Sequence, residues 1–246
     1  MGKKYKNPPI VEALCEFRFD AGTPWDLTIP GLVYERLRHE FSKRRRVTTF
    51  EESISSGPGG IEREIRAIDR MQFLRDDEKA LIQVGQNLLA VNHLKPYPTW
   101  REFLPLIRKG FNAYLEVANP KNIQRIGLRY INRIEIPGQR INLEDYFEFR
   151  PFVGSKLPQD FGSFILGIVV PYENLRDNLI LKMEKLAIET SERIVIMLDL
   201  DYFLARSGQV LPDMVFEWVE VAHNHVEEAF EASITDRLRQ MFEEAM

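Results

Sequence analysis

The sequence predicts an α+β fold built from two pseudo-repeated β-α-βββ-α units. Their strands would form one curved antiparallel sheet, or two sheets joined at an edge, with two long helices on one face. Three observations lead there. Each half of the chain opens on a long strand-like run, Pro9 to Phe19 in one and Ile123 to Ile136 in the other. Each then passes through a helical insert and a set of short runs bounded by turn residues. Each closes on an amphipathic helix. The units divide as residues 1–118 and 119–246 and read as two halves of one compact domain, a partition that suits 246 residues.

In the first unit, Val11, Ala13, Cys15, Phe17 and Phe19 alternate with Glu12, Glu16 and Arg18. That period of two marks a strand. Val33, Leu37 and Phe41 follow at helical spacing over residues 29–41, and Pro30 is tolerable in a first turn. Val47–Ile54 reads as the next strand and Gly57-Pro-Gly-Gly60 as a turn, with strand-like runs at Ile61–Ile68 and Met71–Arg75. Leu81–Val84 and Leu88–Val91 flank Gly85-Gln-Asn87, a hairpin turn whose glycine and asparagine accept positive φ. Thr99 and Glu102 form a capping box, and Phe103, Ile107, Phe111 and Leu115 line one face of the helix behind it. Pro105 should kink that helix or delay its regular part.

The second unit follows the same plan. Arg125, Arg129 and Arg133 alternate with Ile126, Leu128, Tyr130 and Ile134. Asn142–Phe147 reads as a short helix, and Phe164–Val170, Leu179–Ile188 and Ile194–Leu200 as strands. The loop Arg150–Phe161 is expected to be the mobile segment. From Pro212-Asp213 onward, Val215, Val219, Ala222, Val226, Phe230, Ile234, Leu238 and Met241 recur at steps of three and four. They predict one helix of about 30 residues, roughly 45 Å long.

Composition narrows the function classes. With 44% hydrophobic and 28% charged residues the chain reads as an ordinary soluble globular protein. No apolar run approaches the roughly 20 residues needed to cross a bilayer, so no membrane partner is expected. The N-terminus has basic residues but no apolar stretch behind them, so no secretory signal is visible. A single cysteine, Cys15, forms no internal disulfide, which points to a reducing cytoplasm. Net charge is −4, divided unevenly: residues 1–118 carry 19 Lys+Arg against 16 Asp+Glu, and residues 119–246 carry 14 against 21. The acidic excess lies largely on the closing helix, where a solvated face is expected.

Candidate functional residues are few. Glu12 and Glu16 on one opening strand and Arg125, Arg129 and Arg133 on the other would pair if the halves bring those strands together. The three arginines could instead form an anion-binding surface, with Tyr130 and Asn132 facing a cavity on the other side of the strand. Lys43-Arg44-Arg45-Arg46 would attract phosphate backbone, but it reads as a helix C-terminus, where cations oppose the dipole. No aromatic stacking platform interleaved with basic residues accompanies it. Asp199 and Asp201 share a strand face without a phosphate-binding glycine loop. Glu220-x-x-His223, with Glu227 one turn on, has metal-ligand spacing but lacks the second helix such sites need. Cys15 sits on an apolar strand face, the setting of an inert thiol. No catalytic residue, metal or cofactor is assigned, which weighs against an enzyme.

Three segments carry a resemblance: Asn7–Phe19, Arg125–Ile134 and His225–Leu238. Together they resemble a family of uncharacterised prokaryotic proteins of about this length, distributed sporadically among bacteria and archaea. The family-like positions are Pro9, Glu12, Arg129, Tyr130, Asn132, Phe230 and Thr235. The resemblance implies no activity or cofactor; its sporadic distribution implies a mobile defence or toxin–antitoxin locus. The expectation is therefore a non-enzymatic binding or adaptor protein acting on a protein partner, with a homo-oligomer compatible. One alternative is a cavity between sheet and helices that binds a small anionic ligand or acts on it, with Arg129, Tyr130 and Asn132 holding the anionic group even though strand alternation would face Arg129 elsewhere. A second is nucleic-acid binding through Lys43–Arg46.

Overall fold

The computed structural model describes residues 5–22, 25–57, 60–154, 156–158, 162–187 and 192–244, without the side chains of 49–66, 68, 243 and 244. Pro58 and Gly59 of the expected turn, Ser155, Gln159, Asp160 and Phe161 of the expected mobile loop, and Ile188 lie outside those residues. Among the described residues the fold is α+β, with nine strands in one open antiparallel sheet and four helices. The strands are β1 (Ile10–Phe19), β2 (Lys43–Gly57), β3 (Gly60–Leu74), β4 (Ala80–Gly85), β5 (Leu88–Leu94), β6 (Ile123–Pro137), β7 (Phe164–Tyr172), β8 (Asp177–Lys185) and β9 (Arg193–Leu204). The helices are α1 (Ile29–Leu37), α2 (Trp100–Ala118), α3 (Val215–Ser233) and α4 (Asp236–Glu244). The sheet order is β2-β3-β4-β5-β1-β6-β9-β8-β7. The two opening strands β1 and β6 are thus central neighbours. Each also pairs with the last strand before its closing helix, β1 with β5 and β6 with β9.

Alternation places the core. Ala13, Cys15, Phe17 and Phe19 of β1 are buried and share a face with Tyr130, Leu128 and Ile126, their neighbours on β6. Phe111 of α2 packs on Phe17 with ring centroids 4.8 Å apart, and Tyr114 stacks on Phe19 at 4.8 Å. Gly110 allows the approach, since a Cβ there would meet Val91 Cγ2 at 2.8 Å. Trp218 of α3 packs on Tyr202 of β9 at 5.6 Å. Beside it the fully buried Asp177 accepts hydrogen bonds from Tyr202 Oη (3.1 Å), Trp218 Nε1 (3.0 Å) and Arg176 Nη2 (2.6 Å). A buried carboxylate held by three residues ties β8, β9 and α3 together, and each donor would be orphaned by its loss. One continuous apolar core draws on both halves of the chain. Among the described residues no helix is long and apolar enough to cross a membrane.

Four expectations are corrected. Lys43–Arg46 begin β2 and are not a helix end; α1 stops at Leu37, and the cross-strand register runs from Lys43 opposite Leu74. One strand, β3 (Gly60–Leu74), spans the stretch where two runs, Ile61–Ile68 and Met71–Arg75, were expected. Helix α2 runs from Trp100 to Ala118 through Pro105, and its capping box is incomplete: Thr99 Oγ1 bonds the Glu102 carboxylate (2.9 Å), not a backbone amide. The closing helix is two helices. Ile234 is extended (φ −121°, ψ 151°) and forms an isolated antiparallel bridge with Phe147. Thr235 N donates to Tyr146 O (3.0 Å) and Thr235 Oγ1 to Asp145 O (2.6 Å). The segment at Asn142–Phe147, a 3-10 turn over Leu143–Asp145, thus supplies the bonds that stop α3.

Candidate functional site

A cleft of about 420 Å³ opens between the first turn of α2, one face of α3, the entry to β1 and the middle of β6. Its volume falls within the range usual for small-ligand sites. Buried Pro9, Tyr130, Asn132, Leu200 and Val226 contribute its floor, and exposed Thr99, Arg101 and Asn224 its rim. Local sequence sets each wall. Pro8-Pro9 restrict the approach to β1, and Arg133 N donates to Pro9 O (2.9 Å). Just beyond, Ile10 lies opposite Asn132 and Glu12 opposite Ile131, so Val11 is an extra residue. Bulges of this kind re-aim side chains beside binding sites. The connection from β5 to α2 is Lys95-Pro-Tyr-Pro-Thr99, whose prolines favour extended neighbours and hold Tyr97 and Trp100 at the cleft. On α3, Glu220, His223, Glu227 and Glu231 recur at three- and four-residue steps, so one stripe faces the cleft.

The side chains are interlocked. The Trp100 indole stacks on the His223 imidazole, with centroids 4.0 Å apart and planes 10° from parallel. Its Nε1 donates to Glu220 Oε2 at 2.9 Å. The Tyr130 hydroxyl lies between the Tyr97 hydroxyl (3.0 Å) and His223 Nδ1 (3.3 Å). Tyr5 Oη donates to Glu231 Oε1 (2.5 Å), and the same carboxylate accepts from Arg239 Nε (2.8 Å). Burial lowers the His223 pKa to about 4, so the imidazole is neutral at pH 7. Burial pushes the phenols of Tyr5, Tyr97 and Tyr130 upward, and all three stay protonated. A general acid or base works best with a pKa near the operating pH. These four groups are held far from it.

Tyr130 and Asn132, two of the residues singled out from the sequence, line this cleft; Asn132 Nδ2 also donates to Leu198 O (3.1 Å). Arg129 does not join them. Strand alternation turns it to the opposite side of the sheet, into a polar hollow of about 520 Å³ with Glu12, Glu16, Arg125 and Asp201. There Arg129 grips Asp199 through Nε (2.8 Å) and Nη2 (2.5 Å), and the bond raises the arginine's pKa. Arg125 Nη2 donates to Asp201 Oδ2 (2.9 Å), with Glu16 Oε1 3.6 Å from its Nη1. Gly127 leaves room for it, because a Cβ there would lie 2.6 Å from Arg125 Nη1. Burial raises the Asp201 pKa against the pull of Arg125 and Arg129. Arg133 pairs with Glu135 on its own strand, and Glu12 accepts from Asn92 Nδ2 (2.6 Å). The expected Glu–Arg pairing across β1 and β6 is therefore seen at Glu16–Arg125, while Asp199 holds Arg129 and Asp201 shares Arg125 with Glu16.

The basic cluster is also engaged. Lys43 Nζ bonds Asp76 O and Glu78 Oε1 (both 2.8 Å), Arg44 lies over the Tyr34 ring (5.0 Å), Arg45 Nε bonds Gln72 Oε1 (2.7 Å) and Arg46 Nη2 bonds Asp69 Oδ2 (2.5 Å). Cys15 is fully buried and its thiol pKa is raised by burial. Sequence reasoning missed Tyr5, Tyr97, Trp100 and Phe230 as site residues because the cleft draws on distant segments. The signal that could have found two of them is Pro96-Tyr-Pro-Thr-Trp100, an aromatic and proline cluster directly before a helix. No family model matches the chain, and no curated protein matches it either.

Proposed function

We propose that the protein is a non-enzymatic binding protein and that the aromatic cleft is its binding site. The observation that carries this is a preformed, largely apolar cleft whose imidazole and phenols are neutral, with Tyr97, Tyr130 and His223 bonded in a chain and Tyr5 bonded to Glu231. Such a lining suits recognition through shape and stacking and offers no poised proton carrier. The occupant is either a free small molecule or a side chain presented by a protein partner. We further read the chain as two copies of one plan, residues 1–118 and 119–246, with α2 and α3 on the same face of the sheet. The mirrored pairing of β1 with β5 and β6 with β9 supports this reading, as does the packing of α2 on β5 and of α3 on β9. In that arrangement the cleft lies where the copies meet.

The test is a thermal-shift screen of the wild type and Trp100→Ala against amino acids, amines, nucleotides and short peptides. A ligand at one hundred times its Kd stabilises by about 2.7 kcal/mol, which for a chain of this size raises Tm by roughly 5–10 °C. The wild type should show such a shift and Trp100→Ala should lose it. A wild type unmoved by the whole panel, or a shift that Trp100→Ala keeps, would count against the cleft.

A further inference from the structure

Resting on that reading of the cleft, we infer that its occupant is an organic cation: an alkylated ammonium or a guanidinium group. Two features of the lining converge on this class. Tyr5, Tyr97, Trp100, Tyr130 and Phe230 line the space; His223 covers one face of Trp100, and aromatic rings attract cations through the negative lobe of their quadrupole. The same cleft is lined by Glu220, Glu227 and Glu231, the last paired with Arg239 behind it, and its one basic lining residue, Arg101, is exposed at the rim. An anionic occupant would face the carboxylates of Glu220 and Glu227 on the α3 side of the cleft. A cation meets carboxylates and ring faces together.

The kind of cation also follows. A hard metal ion needs several oxygen ligands gathered at roughly 2.0–2.6 Å. Here the carboxylates are strung along α3 from position 220 to 231, about 16 Å at the helical rise, and no metal-holding group of three His, Cys, Asp or Glu occurs among the described residues. The lining cannot crowd around a point charge. It suits a charge spread over an apolar body, such as a quaternary ammonium or a guanidinium, which gives up its water readily and stacks on rings. Glu220 takes its hydrogen bond from a neutral indole, so its negative charge is retained within the aromatic wall. Protonated Tyr97 and Tyr130 and neutral His223 add no competing charge.

The test compares choline with neohexanol, in which carbon replaces the charged nitrogen, by titration calorimetry on the full chain. Guanidinium and a short peptide carrying trimethyllysine are run beside them. Choline or guanidinium should bind roughly tenfold or more tightly than neohexanol. Glu220→Gln should weaken the cations several-fold and leave neohexanol unchanged. Trp100→Ala should abolish binding and Trp100→Phe restore part of it. If Trp100→Ala fails to fold, the Glu220→Gln comparison decides alone. Preference for the peptide over free choline would identify the source as a partner's side chain, and the reverse a free solute. Equal binding of choline and neohexanol, or no cation binding at tens of millimolar, overturns the cation inference. If the broader screen still finds a ligand that Trp100→Ala loses, the cleft reading survives; if it finds none, both fail.

Discussion

His223 shows how one residue's surroundings decide its role. From the sequence it belongs to a Glu-x-x-His pair with metal-ligand spacing; in the fold it is half-buried, stacked on Trp100 and within reach of the Tyr130 hydroxyl. Glu220 and Glu227 on its own helix would favour the imidazolium, yet burial dominates and the pKa falls from 6.5 to about 4. The sign of the linkage follows. Between those two values the unfolded chain binds a proton that the folded chain refuses, so stability is full above pH 6.5 and is lost as pH falls toward 4. One such proton is worth up to about 1.4 kcal/mol per pH unit. Urea denaturation at pH 7, 6 and 5 should show the wild type losing about 2 kcal/mol more over that interval than His223→Phe, which keeps an aromatic ring against Trp100. Parallel losses in the two proteins would mean that the imidazole is free to protonate in place.

At the scale of elements, what could be read from the sequence depended on whether its cause was local. The alternation of β1 and β6 and the Gly85–Asn87 hairpin are set by neighbours in the chain, and they stand in the structure where they were expected. The break between α3 and α4 is not of that kind. Val226, Phe230, Ile234 and Leu238 keep a four-residue step straight across it, so hydrophobic periodicity continues while the backbone does not. The cause lies about ninety positions upstream, in the carbonyls of Asp145 and Tyr146 that take the Thr235 hydroxyl and amide. The cleft was illegible for the same reason: Tyr130 and Asn132 could be singled out on one strand and Glu220, His223 and Glu227 on one helix, but their meeting with Tyr97 and Trp100 in one cleft depends on packing between distant segments. The break has a measurable consequence. In an unbroken helix Thr235 would be a boundary residue and Thr235→Val would be nearly neutral. With the Asp145 carbonyl losing its partner, the substitution should cost about 1–2 kcal/mol in urea denaturation. A change under about 0.5 kcal/mol, the usual scale of surface substitutions, would restore the single-helix reading.

For the whole molecule, the question is whether residues 1–118 and 119–246 are two folding units or two halves of one. The division falls at Asn119, whose left-handed backbone (φ 43°) ends α2 with its amide bonded to Leu115 O (3.0 Å), a short turn before β6 begins. A cut there breaks no strand or helix. It does separate β1 from β6, whose register runs from Ile10 opposite Asn132 to Phe19 opposite Ile123. Each fragment would then expose a long strand edge together with its share of a core that is continuous across the division. Unpaired central edges and uncovered apolar surface are what drive fragments to aggregate. The charges favour reunion, because the first fragment carries more Lys+Arg than Asp+Glu and the second the reverse. Expressed separately, the two fragments should be insoluble or lack cooperative unfolding; expressed together, with a tag on one, they should co-purify as an equimolar complex with the circular dichroism of the intact chain. Restoring the β1–β6 pair also rebuilds the cleft, since Tyr97 and Trp100 come from one fragment and Tyr130 and His223 from the other. Ligand binding should therefore appear only in the complex. A single fragment that folds cooperatively by itself would show that the halves are independent domains and that their shared sheet is a docking contact.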